Sequence, residues 1–247
     1  MIIDHITLYI SIVIFLATLV RSTFGFGESL VAVPLLALRI PLEIAVPVSV
    51  LVSITVAGVV VVQDWKKIHF SSAGWLVFYT LLGIPLGLLL LTSVNGQIVK
   101  VVLGVIIMAF SIYSLSGKKP AELKTDSRAW LFGCGLFAGI LGGAYGLNGP
   151  PLAVYGAMRR WSAQHFRATL QGYFLPASII GMVGYWIKGL WVPVVTHYYL
   201  WSIPFMLPAI FLGRAINHRM HGEKFFNYVY FGLAAIGALL LIQSIKV

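Results

Sequence analysis

Arg21 and Glu28 stand seven residues apart and are the only charged residues within the apolar stretch from Ile6 to Leu38. A lone charge at the centre of a membrane helix costs roughly 2.5 to 3.5 kcal/mol on insertion scales, so each must be compensated. On an unbroken helix seven residues is about two turns along one face. Gly25 and Gly27, which lie between them, can bend the chain and shorten that separation. Two readings stay open. The pair braces the fold, or Arg21 is an anion ligand and Glu28 a carboxylate that couples protons.

The surrounding residues repeat the theme. FGFGES contributes Gly25, Phe26, Gly27 and Ser29; a second cluster, LGGAYGLNGPP, contributes Tyr145, Asn148, Gly149 and Pro150. Glycines in a broken membrane helix leave backbone amides without intrahelical partners, and hydrocarbon offers none. A bound anion is one such partner. Helix starts carry partial positive charge, so short arms beginning near Glu28 or Ser29 and near Gly149 can aim amides at an oxyanion, with Ser29, Tyr145 and Asn148 as side-chain donors. Close helix packing is the competing explanation for the glycines. In WSAQHFRATLQGYF, Arg167 is placed at the mouth of a helix, with Gln171 one turn deeper on the same face. That suits entry of a negatively charged solute, and it suits a cytoplasmic anchor beside Arg159 and Arg160 equally well.

Other chemistry is poorly supplied. His5, His69, His165, His197, His218 and His221 form no HExxH-like pair, and the single cysteine, Cys134, lies in an apolar FGCGLF context. No metal site and no cofactor are expected. No serine has a histidine placed to activate it, which argues against an enzyme. A net charge of +10 would suggest nucleic acid in a soluble protein, but here the bases sit singly or in pairs at the ends of apolar runs. Membrane topology explains them better.

The elements that must position these residues are membrane helices. With 60% hydrophobic and 10% charged residues and a mean hydropathy of +0.95, the chain is suited to lipid rather than to water. The first apolar run has no basic leader and no small-residue cleavage site, and is read as a mature helix rather than a signal peptide. Apolar runs predict helices at Leu42 to Val62, Ala73 to Thr92, Ile98 to Ser116, Arg167 to Ile187, His197 to Ala215 and Phe225 to Ile245. Ile6 to Leu38 and Ala129 to Met158 each read as a helix, a break and a shorter helix. Aromatics such as Trp65, Trp75, Trp130, Trp186, Trp191 and Trp201 fall at helix ends, as interfacial belts require.

The expected fold is an all-α polytopic membrane protein forming one transmembrane domain, 1–247. It contains a first repeat, 4–116, a cytoplasmic linker, 117–127, and a second repeat, 128–247. Each repeat runs broken hairpin, helix, helix, helix, giving about eight membrane segments. GFGESL pairs with GLNGPPL, GIPLG ending at Gly87 with the segment ending at Gly213, and KVVLG ending at Gly104 with YVYFG ending at Gly232. If each broken element crossed the membrane, the loop bases would divide evenly. If each is a hairpin returning to its own side, one side collects Lys66, Lys67, Lys118, Lys119, Lys124, Arg128, Arg159, Arg160, Arg167, Arg214, Arg219 and Lys224. The other side then keeps only Arg39, Lys100, Lys188 and Lys246. Cytoplasmic enrichment of Lys and Arg favours the hairpins, which makes the repeats inverted and places both termini outside. Interrupted helices at matching positions of two repeats are the pattern of secondary transporters, here for a small anion.

GFGESLVAVPLL, GAYGLNGPPLAVY and the following FRATL resemble the paired motifs of the TauE/SafE sulfite exporter family. The resemblance covers nearly the whole chain, and the first motif departs from the family's run of glycines by carrying Glu28 and Ser29. It implies movement of sulfite, sulfonates or related organic anions across the bacterial inner membrane, with Gly25, Gly27, Asn148, Gly149, Pro150 and Arg167 as motif positions. Export is slightly favoured, with proton-coupled uptake and a passive anion channel as alternatives. The expected partners are the small anion, protons and the lipid bilayer, with assembly of identical chains left open.

Overall fold

A computed structural model describes residues 5–36, 38–93, 96–116, 122–145, 148–220 and 222–245. The regular elements among the described residues are helices, in the order α1 (His5–Phe24), α2 (Glu28–Leu36), α3 (Leu42–Asp64) ending in a 3-10 turn (Trp65–Lys67), α4 (Phe70–Ser93), α5 (Gly96–Leu115), α6 (Arg128–Tyr145), α7 (Gly149–Met158), α8 (Ala163–Ile187), α9 (Pro193–Arg219) and α10 (Gly222–Ile245). The helices expected from the apolar runs are all present, most of them a few residues longer. Part of the expected linker, 117–121, lies outside the described residues, as do Gly146, Leu147, His221 and Lys246.

Both breaks are present, and both are hairpins. Phe26 separates Gly25 at φ 88° from Gly27 at φ 95°, so the chain turns through two left-handed residues that side chains beyond glycine rarely tolerate. The arm α2 then runs back along α1: the Tyr9 hydroxyl, early in α1, donates to the carbonyl of Leu35, late in α2, at 2.8 Å. In the second break α7 likewise returns to where α6 began. Tyr155 donates to Asp126 at 2.8 Å, and the Leu123 amide donates to the Met158 carbonyl at 3.0 Å. The arms are unequal, with 20 and 9 residues in the first hairpin and 18 and 10 in the second. At 1.5 Å per residue, α1 extends about 30 Å and α2 only about 13 Å.

Among the described residues, three segments are long and apolar enough to cross a bilayer, His5–Phe24, Glu43–Lys67 and Pro193–Arg219, and shorter apolar helices run over Phe70–Leu86, Arg128–Gly142 and Asn227–Leu239. Their outer faces carry exposed Leu8, Ile12 and Leu16 on α1 and Phe78, Leu81 and Leu82 on α4, which suits lipid. Trp65, Trp130, Trp186 and Trp191 are exposed near helix ends, as an interfacial belt requires.

The chain divides into two compact units, and neither coincides with a repeat. The first is Met1–Ala73 with Gln164–Arg219; the second is Gly74–Ala163 with Met220–Val247. Each therefore draws helices from both halves of the sequence. In the first unit, Ile10, Val13, Ile14 and Ala17 of α1 pack against Val48, Val52 and Val56 of α3 and Met206 and Ile210 of α9. Gly213 of α9 lies against Ser22 of α1, where a larger residue would meet the Ser22 backbone. In the second unit α4 and α6 cross at Gly83 and Gly139, and α5 and α10 at Gly104 and Gly237. Small residues at such crossings let backbones approach, the usual basis of helix association in lipid. Gly232, the expected counterpart of Gly104, has open space beside it.

One cluster fixes the direction of three helices in the first unit. The carboxylate of Asp64, at the end of α3, accepts from Arg167 near the start of α8 and from Arg214 near the end of α9. The end of α3, the start of α8 and the end of α9 therefore lie together.

Candidate functional site

The first break is built by satisfying backbone groups. The last turn of a helix leaves carbonyls without intrahelical donors, and at membrane depth these need partners from elsewhere in the protein. Here they come from distant helices. Arg167 Nε donates to the Ser22 carbonyl at 2.6 Å, Asn217 Nδ2 to that of Thr23 at 2.8 Å, and Gln171 Nε2 to that of Gly25 at 2.9 Å. Gly25 is tightly enclosed, since a Cβ there would lie 3.0 Å from the Cα of Arg167. Phe26, 4% exposed, packs edge-on against Phe166 with ring centroids 6.4 Å apart.

Arg21 and Glu28 meet across this turn. The break brings their side chains into a buried ion pair through Arg21 Nη1. The same nitrogen reaches Ser53 Oγ at 2.6 Å, Nε donates to Gln171 Oε1 at 2.9 Å, and the guanidinium lies 4.7 Å from the centroid of the Phe174 ring. Arg21 Nη2, although buried, has no partner. On the other side of the pair, Glu28 accepts from Ser49 at 3.3 Å and sits in the first turn of α2, where the helix dipole favours a negative charge. Ser53 in turn shares a hydrogen bond with Ser178 of α8 at 2.7 Å. Ser29 is half-buried on the same first turn as Glu28.

Arg167 lies deeper than the mouth of a helix would place it. Its side chain is 1% exposed, held between the Ser22 carbonyl and Asp64, whose carboxylate it reaches at 2.7 Å. Its Nη2 is also buried without a partner. Gln171, one turn along α8, is fully buried and bridges Arg21 to the turn itself.

The second break belongs to the second unit. Asn148 is the N-cap residue of α7 but makes no capping hydrogen bond through its side chain, which packs against Gly142 of α6. Gly149, Pro150 and Pro151 are buried at the start of α7. Proline has no N–H, so Pro150 and Pro151 remove two of the amides that a helix start would present. This end of α7 offers an oxyanion fewer backbone donors than the expectation required. Tyr145 is the last residue of α6, and its side chain lies outside the described residues.

Asp64, Asn217, Ser49, Ser53 and Arg214 complete the first site and were not among the expected residues. Asp64 sits in QDWKK at a helix end, where an acidic residue beside lysines reads as a solvated terminus. Its partners are about 100 and 150 positions away. The serines repeat at Ser49 and Ser53, four apart on one face of α3, and that spacing was the available signal.

A family model described as sulfite exporter TauE/SafE matches residues 10–241, nearly the whole chain. This chain belongs to that family. The TauE/SafE members are membrane transporters, and the apolar helices of this chain accord with membership. Comparison with curated proteins and with solved structures returned no match. Among the described residues, no group of His, Cys, Asp and Glu is placed to hold a metal ion.

Proposed function

We propose that this TauE/SafE protein is a secondary transporter of small anions, of the class of sulfite, organosulfonates or related organic anions, in the bacterial inner membrane. Its binding site is at the first hairpin break. The observation that carries this reading is Arg21: it is buried, with Nη1 bound to the protein's own carboxylate, Nε to Gln171, and the second terminal nitrogen, Nη2, without a hydrogen-bond partner. A structural ion pair needs no spare buried donor, and an oxyanion uses one. Gln171, Ser53 and the Phe174 ring line the same guanidinium and orient it. Gly25, Phe26, Gly27 and Ser29 form the turn, and Arg167 holds it closed from α8. Asn148, Gly149, Pro150 and Tyr145 form the corresponding break of the second repeat.

Glu28 occupies Arg21 much as a bound anion would. Protonation of Glu28 frees the guanidinium for substrate, and deprotonation expels substrate, so proton and anion move together. This favours proton-coupled uptake as the second reading. Export remains the first, because an interior-negative potential assists exit of a monoanion by about 2.3 kcal/mol per 100 mV without any coupling ion. The arrangement is two inverted repeats with a cytoplasmic linker and both termini in the periplasm. It is supported by the return of both short arms along their partners and by the grouping of helix ends around Asp64. Access alternates by movement of the two repeats.

The test is flux in proteoliposomes against sulfite, sulfonates, sulfate and carboxylates, with and without a pH gradient. Saturable flux with counterflow is expected for at least one anion; non-saturating conductance, or no flux at all, would overturn the reading. Glu28→Gln decides between the two directions. If uptake is proton-coupled, this variant keeps exchange but loses acceleration by the pH gradient; an unchanged gradient response assigns Glu28 to bracing alone.

A further inference from the structure

The polar residues of the first unit extend along α3 and α8 beyond the Arg21 pair to a second cluster at Asp64. On α8, Arg167, Gln171, Phe174 and Ser178 recur at spacings of four, three and four, the period of one helical face. On α3, Ser49, Ser53 and Asp64 share a face in the same way. The rungs between them are Ser53 to Ser178, Arg21 to Ser53 and Gln171, and Arg167 to Asp64. These residues end at Asp64, about 16 Å along α3 from Ser53 at 1.5 Å per residue.

Charge at that end is out of balance. Arg167 at 2.7 Å, Arg214 at 3.0 Å and Lys67 at 3.5 Å all address the Asp64 carboxylate, with His218 Nε2 at 3.9 Å. One carboxylate thus serves three permanent cations, two of which it cannot neutralise. Hydrogen-bonding capacity is also left over, since Arg167 Nη2 and His218 Nε2 are buried atoms that make no hydrogen bond, His218 Nε2 facing Asp64 only at ion-pair distance. The cluster has a floor and a rim: the side chains of Arg167 and Asp64 are 1% and 3% exposed, those of Arg214, Lys67 and His218 34%, 30% and 30%.

From these observations we infer that the cluster of Arg167, Arg214, Lys67 and His218 around Asp64 is a second binding station for a small oxyanion, separate from Arg21. The unpartnered guanidinium nitrogen on the floor and the surplus positive charge on the rim match a tetrahedral or pyramidal oxyanion with one or two charges. Asp64 keeps the station partly filled when no ligand is present, and an incoming anion competes with it. For the chemical class of its ligand the inference rests on the anion-transport reading, but binding here is measurable without transport.

The experiment uses the full chain in detergent with sulfate as the probe and chloride at matched ionic strength as the control, reading the midpoint of thermal unfolding. Ligand that binds only the folded state raises that midpoint in proportion to its occupancy. Sulfate also stabilises proteins by exclusion from their surfaces, so the comparison between variants decides, not the wild-type shift alone. Arg214→Gln is expected to lose at least half of the sulfate-specific shift. Asp64→Asn is expected to start lower and to recover with a larger shift, at a sulfate concentration about tenfold below that needed by the wild type. A full sulfate shift in Arg214→Gln, or equal effects of sulfate and chloride in the wild type, overturns the station. If Asp64→Asn does not accumulate, Arg214→Gln against the wild type decides alone. Arg21→Gln separates this inference from the transport reading: it should abolish flux and keep the sulfate shift. Flux without any sulfate shift sinks the station and spares the transporter; a sulfate shift without any flux does the reverse.

Discussion

Removing one partner of a buried ion pair is far more damaging than removing both, because the survivor is left charged in a medium that cannot solvate it. Glu28→Ala should therefore destabilise the protein by about 3 to 5 kcal/mol, while the double variant Arg21→Met with Glu28→Leu should recover most of that loss and still fail to transport. Thermal unfolding in detergent and proteoliposome flux check the two parts. A double variant that transports would reduce the pair to a brace. The glycines of the turn also separate at this scale. Gly25→Ala combines a left-handed backbone with a Cβ 3.0 Å from the Arg167 backbone, whereas Gly27→Ala meets only the flexible Val20 side chain at 3.5 Å. The strain of φ is shared and costs of order 1 to 3 kcal/mol, so Gly25→Ala should lower the unfolding midpoint clearly more than Gly27→Ala. The sequence marked Arg21 and Glu28 as two isolated charges that need compensation and left open whether they brace each other or act on an anion; the ion pair between them is in the structure. Asp64 was not legible there, because nothing local to QDWKK foretells partners on α8 and α9.

Glycine plays different roles from one helix to another, and sequence reading treats these positions too much alike. Gly83 and Gly139 hold α4 and α6 at backbone contact, so an added methyl at either would meet main-chain atoms. Gly181 and Gly184 on α8 have open space beside them. Gly139→Ala should destabilise by about 1 to 3 kcal/mol, as overpacking does, while Gly181→Ala should be neutral or gain up to about 1 kcal/mol from helix propensity. Unfolding midpoints of the two variants side by side check this. Helix positions and the hairpin breaks were legible, since apolar run length and Gly or Pro clusters encode them directly. Glycine pairings across helices were not: Gly104 meets Gly237 rather than sharing a role with Gly232, and only three-dimensional packing distinguishes them.

For the whole molecule, the topology rests on parity. In the proposed arrangement a hairpin returns the chain to the side it left, so three crossings per repeat would invert the second repeat and put the linker opposite both termini. Cysteines introduced by Glu122→Cys and Val247→Cys, in a chain whose Cys134 is replaced by alanine, should react with an impermeant maleimide from opposite sides of sealed vesicles. Labelling of both from one side would refute the inverted arrangement. The count of basic residues led to this proposal from the sequence alone, and the meeting of Asp64, Arg167 and Arg214 is consistent with it.

The carbonyls that end α1 carry a consequence for how the protein is made. Their donors are Arg167, Gln171 and Asn217, which the ribosome adds some 140 residues or more after Ser22. Until α8 and α9 enter the bilayer, the first hairpin holds bare carbonyls and a kinked turn in an environment that penalises both. The amino-terminal half must therefore wait, shielded by the insertion machinery or held at the water interface, and its completion is timed by the synthesis of the carboxyl-terminal half.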